Sequence, residues 1–215
     1  MKFVFGNIHE LKETAVRPSL SNLTLKLLSE YYEAFLMPFI YKYELDDGTY
    51  LKLRCNDYNF AHLLGLEDIV KNELKRQRRS TEIPNYKGKV AFDSCKNGTL
   101  TFDSIRAIDR KKLNSYRLKS MYFFLIPELL INPDVVEYDQ TKSGSKINAN
   151  LLFYKEEFNA YVHLGIIKES EKSGFFVPST MLIEIINEDK GKDGTQHIKN
   201  QTPKNIIKEN RIIIN

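Results

Sequence analysis

Apolar residues recur at a helical period over roughly the first 130 positions and at a strand period after them. Leu20, Leu23, Leu27, Tyr31 and Ala34 fall three or four apart and predict an amphipathic helix over 19–37, with Ser19, Ser21 or Asn22 as its cap and Pro38 as its end. IYKYELDDGTYLKLRC then alternates on both sides of Asp47-Gly48, which predicts a β-hairpin with a type I′ turn. NFAHLLGLEDIVKNELKRQRR reads as helix, capped by Asn56, Asp57 or Asn59 and broken or kinked at Gly65. Residues 80–100, with Pro84, Gly88 and Gly98, predict irregular structure or a short hairpin. Thr101 to Leu130 predicts a helix with Leu113, Tyr116, Met121, Phe124 and Leu125 on apolar faces, disturbed at Pro127.

After residue 130 the runs VVEYD, ANLLFYKE, YVHLGIIKE, FFVPSTMLIEII and NRIIIN are short and rich in β-branched and aromatic residues. Their connectors are brief except for the polar NEDKGKDGTQHIKNQ at 187–201, which has the composition of a mobile loop. Helices first and strands second predict an α+β fold, with helices packed on one face of an antiparallel β-sheet. An N-terminal helix and the β-hairpin precede this core. The expected division is a helical extension over 1–38 and a main domain over 39–215.

The chain of 215 residues is long enough to bury a core without a metal or disulfide. Its net charge of +4 is compatible with a polyanionic partner. The positive charge gathers at Lys71, Lys75, Arg76, Arg78 and Arg79, and again from Arg106 and Arg110 to Lys119. Each cluster reads equally well as a solvated helix face. Cys55 and Cys95 lack the spacing of a zinc site and suit free thiols in the cytoplasm. No run is apolar and long enough to predict a membrane span, and no phosphate loop or other cofactor motif is present.

In YVHLGII one strand face carries Val162, Leu164 and Ile166, and the other carries Tyr161, His163, Gly165 and Ile167. His163 therefore stands off the aliphatic face, where a half-exposed position is expected, and Gly165 leaves room for a ligand or another backbone. Tyr154 and Lys155 end the preceding strand. Ser179 and Thr180 follow Pro178, which marks an edge or bulge. His62 reads as the start of a helix, where free N–H groups attract anions. His9 and His197 lie in segments that look peripheral. Without a cluster of carboxylates or a nucleophile motif, the residue types left are His, Lys, Arg, Tyr, Ser and Thr. Such a set suits RNA cleavage by the substrate's own 2′-OH, which needs a base, an acid and cations around phosphorus.

The order of the hairpin, NFAHLLGLEDI, ANLLFYKE, YVHLGIIKE and FFVPSTML resembles a phage-associated group of the Barnase–EndoU–colicin–RelE nucleases, from about Tyr41 to the C-terminus. The resemblance implies a small RNase-like fold with a metal-independent site on the open sheet face, acting as a toxin or effector. Carried onto this chain it implies His62 and His163 as catalytic residues. Tyr154, Lys155 and Thr180 match more loosely. The resulting expectation is a metal-independent RNA endonuclease with His163, His62, Lys155 and Thr180 as catalytic residues. Tyr154, Ser179, Tyr161, Arg106 and Arg110 would bind substrate, with no metal and no cofactor. Partners are RNA and an antitoxin or immunity protein, with no membrane. A non-catalytic RNA- or protein-binding module and a nucleotide-using transferase are the alternatives.

Overall fold

The computed structural model describes residues 4–143, 147–170 and 172–214, and the chain divides into two compact units. One comprises residues 1–37 and 56–124, the other residues 38–55 and 125–215. Where the expected division falls at 38/39, these units group the residues before 38 with 56–124.

The first unit is helical: α1 (Ile8–Lys12), α2 (Leu25–Phe35), α3 (Asp57–Leu64), α4 (Leu66–Arg76), α5 (Gly88–Lys96) and α6 (Phe102–Tyr122). α2 starts later than its apolar spacing predicts, because the Thr24 hydroxyl accepts the Leu27 N–H at 3.0 Å and caps it there. The residues before it, Leu20–Asn22, make a separate 3₁₀ turn. α5 replaces the irregular stretch expected over 80–100, burying Ala91, Phe92 and Cys95 along one face. The apolar faces meet one another: Phe60 lies 5.6 Å from Tyr32, 5.4 Å from Phe92 and 5.6 Å from Phe123 between ring centres. Gly65, at φ +71°, ends α3 and opens α4, and a Cβ there would sit 2.5 Å from ring carbons of Tyr116. Only glycine meets both demands. Beside the same ring, Lys119 holds its ammonium 5.2 Å from the centroid, and burial brings its pKa down to about 8 against the raising charge of Asp68.

The second unit begins with β1 (Phe39–Leu45) and β2 (Tyr50–Arg54). The expected hairpin is present, but its turn differs. The Gly48 N–H donates to the Leu45 carbonyl, Gly48 sits at φ +81°, and Asp47 keeps a negative φ. That makes a three-residue loop with a left-handed glycine in place of type I′, which needs two positive φ angles. There follow α7 (Ile126–Leu129), β3 (Asp134–Glu137), α8 (Gln140–Ser143), β4 (Leu151–Glu157), β5 (Ala160–Lys168), β6 (Phe176–Ile185), β7 (Thr202–Lys204) and β8 (Ile206–Ile213). The sheet order is β7-β3-β4-β5-β6-β2-β1-β8. All pairs are antiparallel except β2 with β6, which meet in parallel at Leu53 and Phe176. The purely antiparallel sheet is thereby corrected: the hairpin enters it between β6 and β8 instead of preceding it.

The sheet is rolled almost into a barrel. Tyr43 on β1 and Phe153 on β4 have three strands between them in the sheet, yet their ring centres are 5.1 Å apart. The outermost strands β7 and β8 are also joined by the single residue Asn205. The interior takes the aliphatic set predicted for β5, with Val162, Leu164 and Ile166 all buried, together with Met181 and Leu53. A layer of helices on one sheet face does not describe either unit taken by itself. Among the described residues of the sheet unit the α-helices are the one-turn α7 and α8. No helix among the described residues is long and apolar enough to cross a membrane.

Pro178 marks a bulge, as expected, though not an edge. Gly165 pairs with Thr180 and Ile166 with Pro178, which leaves Ser179 as the extra residue. Ser179 is buried, and its hydroxyl donates toward the carbonyls of Asn148 (2.8 Å) and Gly165 (3.0 Å). The space beside Gly165 is filled by the chain itself: a Cβ there would lie 2.7 Å from the Thr180 methyl and 3.1 Å from Ala149 Cβ. The room predicted for a ligand is therefore taken up by strand packing.

Two stability outcomes follow. Between about pH 8 and 10.5 the unfolded chain binds more protons at Lys119 than the folded one, so stability rises with pH across that window. Lys119→Met should raise stability at pH 7 by roughly 2 kcal/mol and flatten that rise; denaturant melts showing no gain at pH 7 would contradict the buried ammonium. Gly165→Ala should cost about 1–3 kcal/mol by overpacking. Thr180→Ser, which removes the offending methyl, should recover most of that cost in the double variant, and an unimproved double variant would show that the methyl is not the obstacle.

Candidate functional site

Strands β4, β5 and β6 present one polar outer face, set by their register. Tyr154, His163 and Leu182 form one row across the three strands, and Glu156, Tyr161 and Glu184 form the next. The ring of His163 lies 6.2 Å from those of both Tyr154 and Tyr161, nearly parallel to Tyr161 at 29°. Its Nε2 is 2.9 Å from Oε2 of Glu184, an ion pair when the ring is protonated. The approach is off the N–H direction, so neither ring nitrogen makes a directed hydrogen bond.

The 187–201 segment covers this face. Its His197 ring stands edge-on to His163 at 5.8 Å, and the backbone N–H of His197 donates to the same Glu184 Oε2 at 3.3 Å. Ile198 packs with Leu182 and Tyr154 against the apolar cluster Val136, Tyr138, Ile147 and Leu152. Gln201 anchors the end of the segment, accepting the Asp139 N–H at 2.7 Å and donating to the Asp139 carbonyl at 3.0 Å. Under this cover His163 has no exposed surface. The half-exposed position expected for it is corrected: alternation placed it on the right face, and the tertiary cover buried it.

Electrostatics separate the two rings. Burial holds the His197 pKa below the usual histidine value, and the charge of His163 lowers it further, while Glu184 opposes both. The phenol of Tyr161 is held protonated by burial and by its hydrogen bond with Glu156, and that of Tyr154 by burial and the charge of Asp134. Glu184 also faces outward, into a cavity of about 660 Å³ lined by Asn187, Lys190, Lys192, Gln196 and Lys199. Asp193 lines it as well, 4.0 Å from the Lys199 ammonium, and three lysines and two amides around the two carboxylates form a site that can hold a phosphate group. Among the described residues no three His, Cys, Asp or Glu side chains are placed to hold a metal ion.

The other expected residues fall elsewhere. Lys155 pairs with Val162 in the register and stands on the opposite strand face from Tyr154 and His163. Thr180 shares the outer face, opposite Gly165. Ser179 is committed to the carbonyls beneath it. His62 belongs to the helical unit, where it is exposed in the last turn of α3 and not at its start, since Asn56 and Asn59 cap the helix earlier. The anion-binding argument from a helix N-terminus therefore does not apply to it. Arg106 and Arg110 lie on α6 of that unit, Arg106 paired with Asp103. Lys71, Arg76 and Arg79 of the other positive cluster are paired with Asp68, Glu73 and Glu82.

Sequence reasoning missed His197 and Glu184. His197 sits in a polar segment without periodicity, and no local pattern marks it. Glu184 carried a signal, being the one charged residue in FFVPSTMLIEII and on the same strand face as Thr180.

No curated protein and no solved structure matches this chain. A family model does match, over residues 28–214, and so takes in most of α2, which the motif resemblance left outside. That model is described as phage-Barnase-EndoU-ColicinE5/D-RelE like nuclease4, and the chain belongs to this family of nucleases.

Proposed function

We propose that this nuclease cleaves RNA without a metal ion, through the substrate's 2′-OH, at the outer face of β4, β5 and β6. The observation that carries the reading is the meeting of His163, Glu184 and His197 beside Tyr154 and Tyr161. His197, neutral at neutral pH because its pKa is depressed, takes the 2′-hydroxyl proton. The 2′-oxygen bonds to phosphorus as the bond to the 5′-oxygen breaks, and the leaving oxygen takes a proton from the phenol of Tyr161. Lys190, Lys192 and Lys199 offset the charge that builds on the phosphoryl oxygens. Tyr154 stacks a base. His163, enclosed behind Glu184, is a positioning residue: it holds the carboxylate that in turn holds the His197 backbone.

Toxin or effector action would call for an inhibitor protein able to cover this face. A second reading, a module that binds RNA without cutting it, is favoured by the complete enclosure of His163. The two readings part on one experiment. Wild-type protein in EDTA should cut single-stranded RNA and leave its 2′-deoxy counterpart intact, and His197→Ala should lower the rate about 10²–10⁴-fold. Salt-dependent RNA binding without cleavage in any buffer would establish the second reading instead.

The rate should also rise with pH through the depressed His197 pKa and level off by about pH 7, because only the neutral ring accepts a proton. An acid limb centred at or above the ordinary histidine value of about 6.5 would remove His197 from the role of base.

A further inference from the structure

The last strand of the sheet has an edge with no partner among the described residues, and its sequence is complementary to itself. The opposite outermost strand, β7, is three residues long and carries Pro203, two features that discourage edge pairing. β8 is eight residues long and has no proline. It also exposes apolar side chains: Ile207 is 63 % exposed and Ile213 65 %, with Ile214 exposed just beyond the strand. A long apolar edge of this kind is a template for another strand.

Backbone geometry limits how a second β8 can join. The Ile214 N–H donates to the Pro38 carbonyl at 2.7 Å, and β8 continues antiparallel along β1 with Ile212 opposite Ile40 and Asn210 opposite Lys42. Even-numbered residues therefore turn their amides toward β1, and Glu209, Arg211 and Ile213 turn theirs outward. An antiparallel partner must then match odd residues with odd. Centring the two-fold axis on Glu209 sets two carboxylates face to face, and centring it on Arg211 sets two guanidiniums face to face. Centring it on Asn210 places Glu209 opposite Arg211 twice, Ile207 opposite Ile213 twice, and Asn210 opposite itself. Of these three registers, this alone has no like-charge pair, and it covers the exposed isoleucines. The bulge that shifts the β1–β8 register at Glu44/Leu45 ends regular pairing near Ile207, which bounds the shared segment to about 207–213.

We propose that two copies of this chain associate through β8, antiparallel and centred on Asn210, to make one sheet continuous across the dimer. The occupant of the edge is thus a second copy, selected by charge and apolar complementarity. No residue of β8 lines the cavity at Glu184, so the inference stands apart from the proposed chemistry.

Sedimentation equilibrium tests it. Wild-type protein should approach twice its 25.1 kDa mass with rising concentration. Being small, the interface should be weak, with dimer predominant by about 100 µM. Glu209→Arg should return the monomer, and the charge-swapped pair Glu209→Arg/Arg211→Glu should restore the dimer. Asn210→Cys should cross-link copies on oxidation, the native cysteines being buried. Should the Glu209 variant fail to fold for want of its contact with the Asn132 N–H, Ile213→Lys removes the exposed apolar pair and should likewise give monomer. A monomeric wild type over the whole range, a dimer indifferent to Ile213→Lys, or a folded charge swap as monomeric as folded Glu209→Arg would overturn the proposal.

Discussion

One carboxylate ties the polar face of the sheet unit together. Glu184 reaches His163 on the neighbouring strand and the backbone of His197 in the covering segment, and it also opens onto a cavity lined with lysines. A buried imidazole without a charged or hydrogen-bonding neighbour is costly, and a carboxylate facing apolar packing costs more. Each therefore makes the other tolerable. The segment that closes over them is held by the same oxygen that faces His163. Removing Glu184 would loosen both the cover and the ring beneath it, so the site and the local fold depend on one interaction.

That interaction is possible because the sheet rolls. The interior receives the aliphatic residues of β5 with Tyr43 and Phe153, and the outer face is left for Tyr154, Tyr161, His163 and Glu184. The bulge at Ser179 shifts the β5–β6 pairing by one residue between Ile166 and Gly165. Toward Glu184 the shifted register brings Thr180 over Gly165 and Leu182 beside His163. A bulge and a glycine thus settle which side chains share the outer face, and Thr180 and Ala149 fill the space beside Gly165.

How much of this was legible depends on the kind of signal. Period-two alternation placed His163 opposite the aliphatic triplet, and that face is correct. Applied one strand earlier, the same rule sets Lys155 away from Tyr154, so grouping Lys155 with the site went against the pattern itself. The histidine in NFAHLLGL sits at a helix end because Asn56 and Asn59 cap the helix ahead of it, a choice among neighbouring cap candidates that spacing does not settle. His197 left no trace, since a polar segment is recognised only by what it lies against. Enclosure of His163 was equally silent, because burial by a distant segment is a tertiary fact. The motif pair did reach the correct nuclease family, which the match over residues 28–214 extends into α2.

Nuclear magnetic resonance with an uncleavable 2′-deoxy oligonucleotide reads whether the outer face around Glu184 and His197 receives the RNA proposed for it. Amide and imidazole shifts should move along Tyr154, Tyr161 and the 184–199 stretch, and the His197 ring should change its titration on binding. Shifts confined to the helical unit around His62, Arg106 and Arg110, with the His197 ring unmoved, would contradict the account.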